Sequence, residues 1–203
     1  QYQPSVIGLD IYRNLPVEPG NQELVKVMQT TPNLIGVKKM LGDKADKVAP
    51  PPTLSELNQV ALADLILDAD SKVRRGLLSA FDEDKNVYQG LAASLSSIYL
   101  DKKGIEAIYD PKEKSLRLGK AVFYPFTQKE FAYRNVDKTV YQILLNYRSL
   151  KQDFETVTLR DVLSGNLSEE QVRSRIVLIG MTAKSVNDFH RIGYASSVRN
   201  KNI

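Results

Sequence analysis

Polar side chains follow three apolar runs of the sequence, at the points where strands would end. The runs are Val6–Asp10, Leu34–Lys38 and Ile176–Gly180, and each is continuously apolar, as strands covered on both faces must be. In a parallel sheet, ligands bind outside the carboxyl ends of the strands. The sequence therefore predicts a polar rim at that edge, and we take as the candidate ligand-binding residues Asp10, Arg13, Lys38, Thr182, Asn187 and Asp188.

This rim is suited to a small charged or hydrogen-bonding ligand. Arg13 could hold a ligand carboxylate through two parallel hydrogen bonds, a geometry that lysine does not reproduce. Asp10 could orient Arg13 or bind a ligand amine. The alternative is an internal pair between Asp10 and Arg13 that only fixes the loop before Pro16.

Two further patterns resemble ion-binding motifs incompletely. The segment from Gly180 to Ser185 lacks the second glycine of a phosphate-binding loop, because Ala183 stands in its place. Asp68 and Asp70 have the spacing of a calcium loop without its glycine and closing glutamate. These departures predict neither a nucleotide site nor a metal site, and we expect no cofactor.

Arg74 and Arg75 directly follow the acidic turn, and successive residues of a strand point to opposite faces. One arginine could reach a carboxylate while the other is solvated, but we expect a plain structural pair with Asp68 or Asp70. His190 is the chain's one histidine, and its surroundings favour a packing or surface role over that of a base.

Composition excludes several classes of protein. The 203 residues are 42% hydrophobic and 26% charged, which is typical of one globular domain. The chain has no cysteine, which excludes disulfide scaffolds, iron–sulfur sites and cysteine nucleophiles. The net charge of +4 comes from mixed-sign segments rather than a basic patch, so we expect no nucleic-acid partner. No apolar run approaches the roughly 18 residues of a membrane span.

The order of elements predicts an α/β fold with a parallel βαβ core in a mixed sheet, flanking helices and β-hairpins. The three apolar runs are predicted to be mutually parallel and central in the sheet. Helices are predicted over Asn21–Gln29 and Asn86–Leu100, the second from the helical spacing of Tyr88, Leu91 and Leu95. A hairpin is predicted from Val60–Leu67 and Val73–Phe81 around the turn between them.

Seven blocks of the sequence, taken in order, resemble the CHASE2 family, especially its cyanobacterial branch. They are VIGLDIYRNLPVEPG, TPNLIGVKK, VALADLILDADSKVRRGLL, LRLGKAVFYPF, YQILLNYR, TLRDVLSG and RIVLIGMTAKSVND. The resemblance extends over nearly the whole chain, and we expect a single CHASE2-like domain over residues 1–203, truncated at both ends relative to the family. The family usually has another strand and helix before the first block and continues beyond YASS towards the membrane. It also commonly has glycine where Ser71 stands, a difference expected to cost little in a type I turn.

The resemblance implies an extracytoplasmic sensor domain of a transmembrane protein, homodimeric at full length. The cytoplasmic output of such proteins is a histidine kinase, an adenylate or diguanylate cyclase, a Ser/Thr kinase or a CHAT-type module. The resemblance implies no catalytic residue and leaves the small-molecule ligand unknown.

Three hypotheses follow. The first is a non-enzymatic sensory input domain, expected from the resemblance and from the absence of a catalytic constellation in the sequence. The second is a structural or dimerisation module that senses nothing itself. The third is an α/β hydrolase that uses Asp10 and Asp188 at strand ends.

Overall fold

The structure is a computed structural model that describes residues 2–124, 126, 140–147, 154–186 and 190–192. The α-helices in these ranges are α1 (Asn21–Thr30), α2 (Pro52–Glu56), α3 (Leu91–Asp101) and α4 (Leu159–Leu163). The strands are β1 (Val6–Asp10), β2 (Leu34–Lys38), β3 (Val60–Leu62), β4 (Ile66–Leu67), β5 (Lys72–Phe81), β6 (Val87–Gln89), β7 (Ala107–Asp110), β8 (Ser115–Leu118), β9 (Ala121–Phe123), β10 (Val140–Leu144), β11 (Ile176–Gly180) and β12 (Arg191–Ile192). In the described part of the chain, no helix has the length and apolar character of a membrane span.

A four-stranded parallel sheet, sheet A, forms the centre of the fold in the order β11-β1-β2-β3. Val6 pairs with Ile176 and Asp10 with Gly180, so the first and last apolar runs lie side by side. The predicted parallel arrangement of the three runs is confirmed. In the described part of the chain β11 pairs with β1 alone and lies at the edge of sheet A, so the prediction that all three runs are central is wrong for β11.

Helices cover both faces of sheet A. On one face, Leu95 of α3 packs with Val6, Ile35 and Ala61 in a buried cluster. On the other, α1 and α2 contribute Met28 and Leu54 to a cluster with Leu34 of β2. The helix predicted over Asn21–Gln29 is confirmed as α1, and the α/β fold class is confirmed.

The predicted helix over Asn86–Leu100 is wrong in its first residues. Val87–Gln89 is the strand β6, which pairs antiparallel with the end of β5, and the helix begins at Leu91. Gly90 lies between them against the backbone of β5, where a Cβ atom would collide with the carbonyl oxygen of Leu77. This close approach at Gly90 separates the strand β6 from the helix α3. Tyr88 lies at a helical spacing from Leu91 and Leu95, but it belongs to the strand.

The predicted strand over Val60–Leu67 is divided in two. Its first part, β3, joins sheet A parallel to β2, and its second part, β4, pairs antiparallel with β5. Between them Asp64 is buried, and its carboxylate accepts hydrogen bonds from the backbone N–H groups of Met40 and Leu41. Asp64 thus fixes the chain after β2 and interrupts the strand, so only β4 forms the predicted hairpin.

The remaining strands form two more sheets. In the second sheet, sheet B, the long strand β5 pairs antiparallel with β4, β6 and β10 and parallel with β12. The third sheet is the antiparallel series β7-β8-β9. The parallel core is therefore a sheet of its own, and the mixed pairing occurs in sheet B.

The turn between β4 and β5 corrects one expectation. Ser71 has a φ angle of 60°, in the left-handed region that glycine adopts with least strain. The serine is therefore costly at this position, because the turn requires a backbone conformation that side chains disfavour.

Candidate functional site

A cleft of about 240 Å³ lies beside the segment that follows β1. Its apolar lining comes from that segment, from α1 and from the residues at the start of α2: Leu15, Pro16, Val17, Leu24, Val25, Met28, Pro51 and Pro52. Its polar lining consists of Arg13, Asn14, Asn21 and Thr53. The cleft thus combines apolar walls with a few polar groups.

Local interactions hold two walls of the cleft in place. The carboxylate of Glu18 accepts a hydrogen bond of 3.0 Å from the backbone N–H of Gly20, just before α1. Gly20 has a φ angle of 101°, which lets the chain turn sharply into the helix. Met28 anchors α1 in the core beside Leu54 of α2. The cleft therefore lies between elements that pack against sheet A.

The structure brings one of the predicted rim residues to the cleft. Arg13 is half-buried and lines it, whereas Asp10 is exposed at the end of β1. Thr182 is also exposed, two residues beyond Gly180, the register partner of Asp10. Asn187 and Asp188 lie outside the described residues.

Lys38 makes a different contact. Its Nζ atom lies 3.1 Å from the centroid of the Tyr88 ring, where a cation is attracted to the face of the aromatic system. Lys38 does not line the cleft. The ammonium group at the end of β2 is thus engaged by β6, a strand that sequence reasoning had placed in a helix.

Asp10 and Arg13 do not form a salt bridge in the structure. In the described part of the chain, no carboxylate lies within salt-bridge distance of Arg13. The internal pair considered from the sequence is therefore not what fixes the loop before Pro16.

The lining of the cleft is suited to binding. Among its described lining residues Arg13 is the one charged side chain, with no carboxylate or imidazole beside it. Asn14, Asn21 and Thr53 can donate and accept hydrogen bonds but are not strong acids or bases. The arrangement can hold a small anion with an apolar body.

A second polar cluster lies at the β4–β5 turn. Asp68 accepts hydrogen bonds from Arg74 at 2.7 Å and from Arg75 at 2.8 Å, and its side chain is 9% exposed. Asp70 binds Arg74 through both carboxylate oxygens, at 2.8 and 2.7 Å. Arg75 also donates to the buried Gln142 of β10 at 2.7 Å.

This cluster confirms the predicted structural ion pair and corrects its details. Burial tends to raise the pKa of Asp68, but the hydrogen bonds and charges of Arg74 and Arg75 outweigh burial and lower it. Both arginines reach Asp68, and Arg74 is the more exposed of the two. Groups of acidic or histidine side chains that could hold a metal ion do not occur among the described residues.

Sequence reasoning missed most of the lining of the cleft. Asn14 and Asn21 follow the predicted Arg13 in sequence, but Pro51 to Thr53 come from the residue before α2 and the first residues of that helix. Nothing in the composition of this segment indicates that it forms a wall of the cleft.

The fold and the cleft define a class: an α/β domain with a parallel sheet and a cleft beside the segment that follows its strand β1. The family model of the CHASE2 domain matches residues 1–200, and the chain belongs to the CHASE2 family. This is a family of extracellular sensory domains, and the resemblance found in the sequence is thereby confirmed. No curated protein and no solved structure shows significant similarity to the chain.

Proposed function

We propose that this domain is the sensory input module of a membrane-bound bacterial signalling protein and binds a small ligand bearing a carboxylate. Membership of a sensory family supports the input role. The output module proposed is one of those that the resemblance implies: a histidine kinase, an adenylate or diguanylate cyclase, a Ser/Thr kinase or a CHAT-type module. The domain works outside the cytoplasmic membrane, joined to that output by the protein's own transmembrane helices.

The observation that carries the ligand class is Arg13 at the apolar cleft. A guanidinium without a carboxylate partner among the described residues is suited to a ligand carboxylate, because its planar fork matches the two oxygens. The apolar lining, with Leu24 and Met28 of α1, favours a ligand with an apolar body. Asn21 and Thr53 supply hydrogen bonds that fix its orientation.

The other rim residues have secondary roles in this proposal. Asp10 and Thr182 lie at the same edge of sheet A as the cleft, where they can contact a polar end of the ligand. Asn187 and Asp188 follow them in sequence and stay part of the proposed rim. Lys38 contributes positive charge near this edge, although the Tyr88 ring holds its ammonium group.

Thermal unfolding with a panel of small carboxylates tests the ligand class. A ligand at 100 times its dissociation constant stabilises the folded state by about 2.7 kcal/mol, a shift of a few degrees at this size. We expect such a shift from a branched or aromatic monocarboxylate, none from the matching amide, and none in Arg13→Lys.

Arg117→Lys is the matched control, because Arg117 is an exposed arginine in β8, away from the cleft lining. This variant should keep the full ligand response. A response retained by Arg13→Lys would refute the site. Failure of the whole panel in the wild-type protein would favour the structural-module hypothesis.

Location is tested by a reporter inserted after Gly165. This glycine follows α4 with a φ angle of 73°, and no atom lies within 4 Å of the position of an added Cβ, so an insertion there has room. A reporter that is active only after export should be active in the full-length protein. Activity of a cytoplasm-only reporter at the same position would contradict the proposal.

A further inference from the structure

The turn that leads into α1 carries a negative charge at the border of the cleft. Val17 and Asn21 both line the cleft, and Glu18 lies between them in sequence without lining it. The carboxylate of Glu18 accepts a hydrogen bond of 3.0 Å from the backbone N–H of Gly20 and a longer one of 3.4 Å from that of Asn21. These contacts hold the charge of Glu18 where the chain enters the helix, beside the lining of the cleft.

Without Glu18, the start of α1 would attract anions. The first N–H groups of a helix have no partner within the helix, and the aligned peptide dipoles place a charge of about +0.5 there. In α1 this attraction is already used by Glu18, which accepts hydrogen bonds from Gly20 and Asn21. Glu23 adds a second carboxylate in the first turn of the helix. The start of α1 is therefore not a second anion site, and its two carboxylates repel anions.

The positive charge at the cleft comes from Arg13. Among the described lining residues Arg13 is the one charged side chain, and it can pair with one ligand carboxylate. A second carboxylate on the same ligand finds no further cation in that lining. It enters a cleft with apolar walls whose border carries the charge of Glu18. The arrangement thus favours one anionic group on a ligand and opposes a second.

We propose that Glu18 makes the cleft selective for monocarboxylates over dicarboxylates. This inference rests on the proposed function and concerns the specificity of the same site. Glu18 is a specificity-determining residue that acts through its charge and need not contact the ligand. A monocarboxylate pairs with Arg13 and places its uncharged remainder along Leu24 and Met28. A dicarboxylate of the same skeleton brings its second charge towards Glu18.

The size of the cleft sets the strength of this repulsion. A volume of about 240 Å³ corresponds to a sphere roughly 8 Å across, which is close to the screening length of about 8 Å in physiological salt. At about 8 Å, Coulomb's law gives about a twofold weakening of binding in water and about a thirtyfold weakening at the effective dielectric constant near a protein surface. Because Glu18 is exposed, we expect an effect nearer the lower value, about threefold to tenfold.

Paired ligands test this selectivity directly. The probes are straight-chain and aromatic monocarboxylates, each matched with the dicarboxylate in which a second carboxylate replaces the terminal methyl group: hexanoate with adipate, and 4-methylbenzoate with terephthalate. Titration calorimetry gives the ratio of the dicarboxylate dissociation constant to the monocarboxylate one. For the pair whose monocarboxylate binds more tightly, we expect a wild-type ratio of at least about three. In Glu18→Gln the ratio should fall about threefold or more, because the amide oxygen still accepts from Gly20 while the charge is lost.

Glu106→Gln is the matched control, because it removes the same charge from an exposed glutamate that does not line the cleft. This variant should keep the wild-type ratio. A purely structural role of Glu18 would change both dissociation constants by the same factor. An unchanged ratio in Glu18→Gln therefore overturns the proposal, as does a wild-type protein that binds both members of the pair equally well.

Salt provides a second test on the wild-type protein, which decides the question even if Glu18→Gln does not fold. Raising the ionic strength from about 0.01 M to about 1 M shortens the screening length from about 30 Å to about 3 Å, so the ratio should fall. A ratio independent of salt would overturn the proposal. If no monocarboxylate binds, the carboxylate ligand class of the proposed function fails together with this inference. A monocarboxylate that binds, with the same ratio in Glu18→Gln, refutes the selectivity alone.

Discussion

β1 and β11 are neighbouring strands of one sheet with similar sequences and opposite surroundings. Val6 of β1 is fully buried beneath α3, whereas its neighbour Ile176 in β11 is partly exposed, and Leu178 more so. Both strands are apolar because both belong to a parallel sheet, but within the ranges that the structure describes β1 has a strand on each side and β11 on one. The apolar composition of a strand thus indicates that its faces will be buried. Its place in the sheet determines whether residues of this chain bury them.

The same contrast distinguishes the arginines. Arg75 is satisfied within the chain by Asp68 and Gln142, while Arg13 has no carboxylate partner among the described residues and lines a cleft. Arg75 stabilises the fold, and we propose that Arg13 binds a ligand. Mutation can distinguish an arginine whose partner lies within the chain from an arginine whose partner is a ligand.

The largest effect is expected at the covered side of sheet A. Leu95 is buried against Val6, so Leu95→Ala should destabilise the protein by about 2–5 kcal/mol in denaturant unfolding. Leu178→Ala removes a leucine beside the same glycine, Gly8, but an exposed one, and should cost less than about 0.5 kcal/mol at dilute concentration. Similar losses of unfolding free energy in the two variants would contradict the difference in burial between β1 and β11.

A smaller effect is expected at the arginine cluster. Breaking a fully buried ion pair costs about 3–5 kcal/mol; because Arg74 is one-third exposed, Asp68→Asn should cost about 2 kcal/mol at neutral pH. The folded-state pKa of Asp68 lies below its unfolded value near 3.8, so this stabilisation is present above pH 4 and is lost as the pH falls through the folded pKa.

The difference between wild type and Asp68→Asn should therefore shrink in acid, as measured by urea unfolding at a series of pH values. Glu83→Gln is the control, since Glu83 pairs with Lys47 at the surface with its side chain almost fully exposed, and it should change stability little at any pH. A constant difference across the acid range would show that Asp68 is not held as a carboxylate by its arginines.

The smallest effect on stability is expected at Arg13. With no internal ion pair to break in the described part of the chain, Arg13→Lys should change the unfolding free energy without ligand by less than about 0.5 kcal/mol. The same variant should lose the ligand-induced shift described above. A large loss of unfolding free energy without ligand would show that Arg13 has a structural role, as Arg75 does.

Local patterns predicted the elements whose neighbours are close in sequence. The β1–α1–β2 unit follows from apolar runs and a short helical repeat, and the parallel pairing with β11 follows from its equally apolar sequence. The edge position of β11 could not be predicted, because apolar composition is the same for central and edge strands. The start of α3 depended on the approach of Gly90 to Leu77, a contact between residues from different elements.

The candidate site shows the same limit: residues next to a predicted strand were found, and residues from distant elements were not. Arg13 follows β1 directly, so the strand-end rule found it. The wall from Pro51 to Thr53 comes from the start of α2 and the residue before it, and the contact of Lys38 with Tyr88 depends on a strand that was not predicted. Where a side chain's neighbours are distant in sequence, residue type and spacing do not identify them.

The pairing of β1 with β11 joins the two ends of the described chain and has a consequence for the order of folding. Contacts between residues far apart in sequence close a large loop, and the entropy of closure is lost before the pairing compensates for it. β1, β2 and β3 can assemble while the chain is still emerging, but one edge of β1 stays unpaired until residues 176–180 arrive. We therefore expect β11 to join last, and a nascent chain that stalls before this point to present the open edge of β1 to chaperones or to other nascent chains.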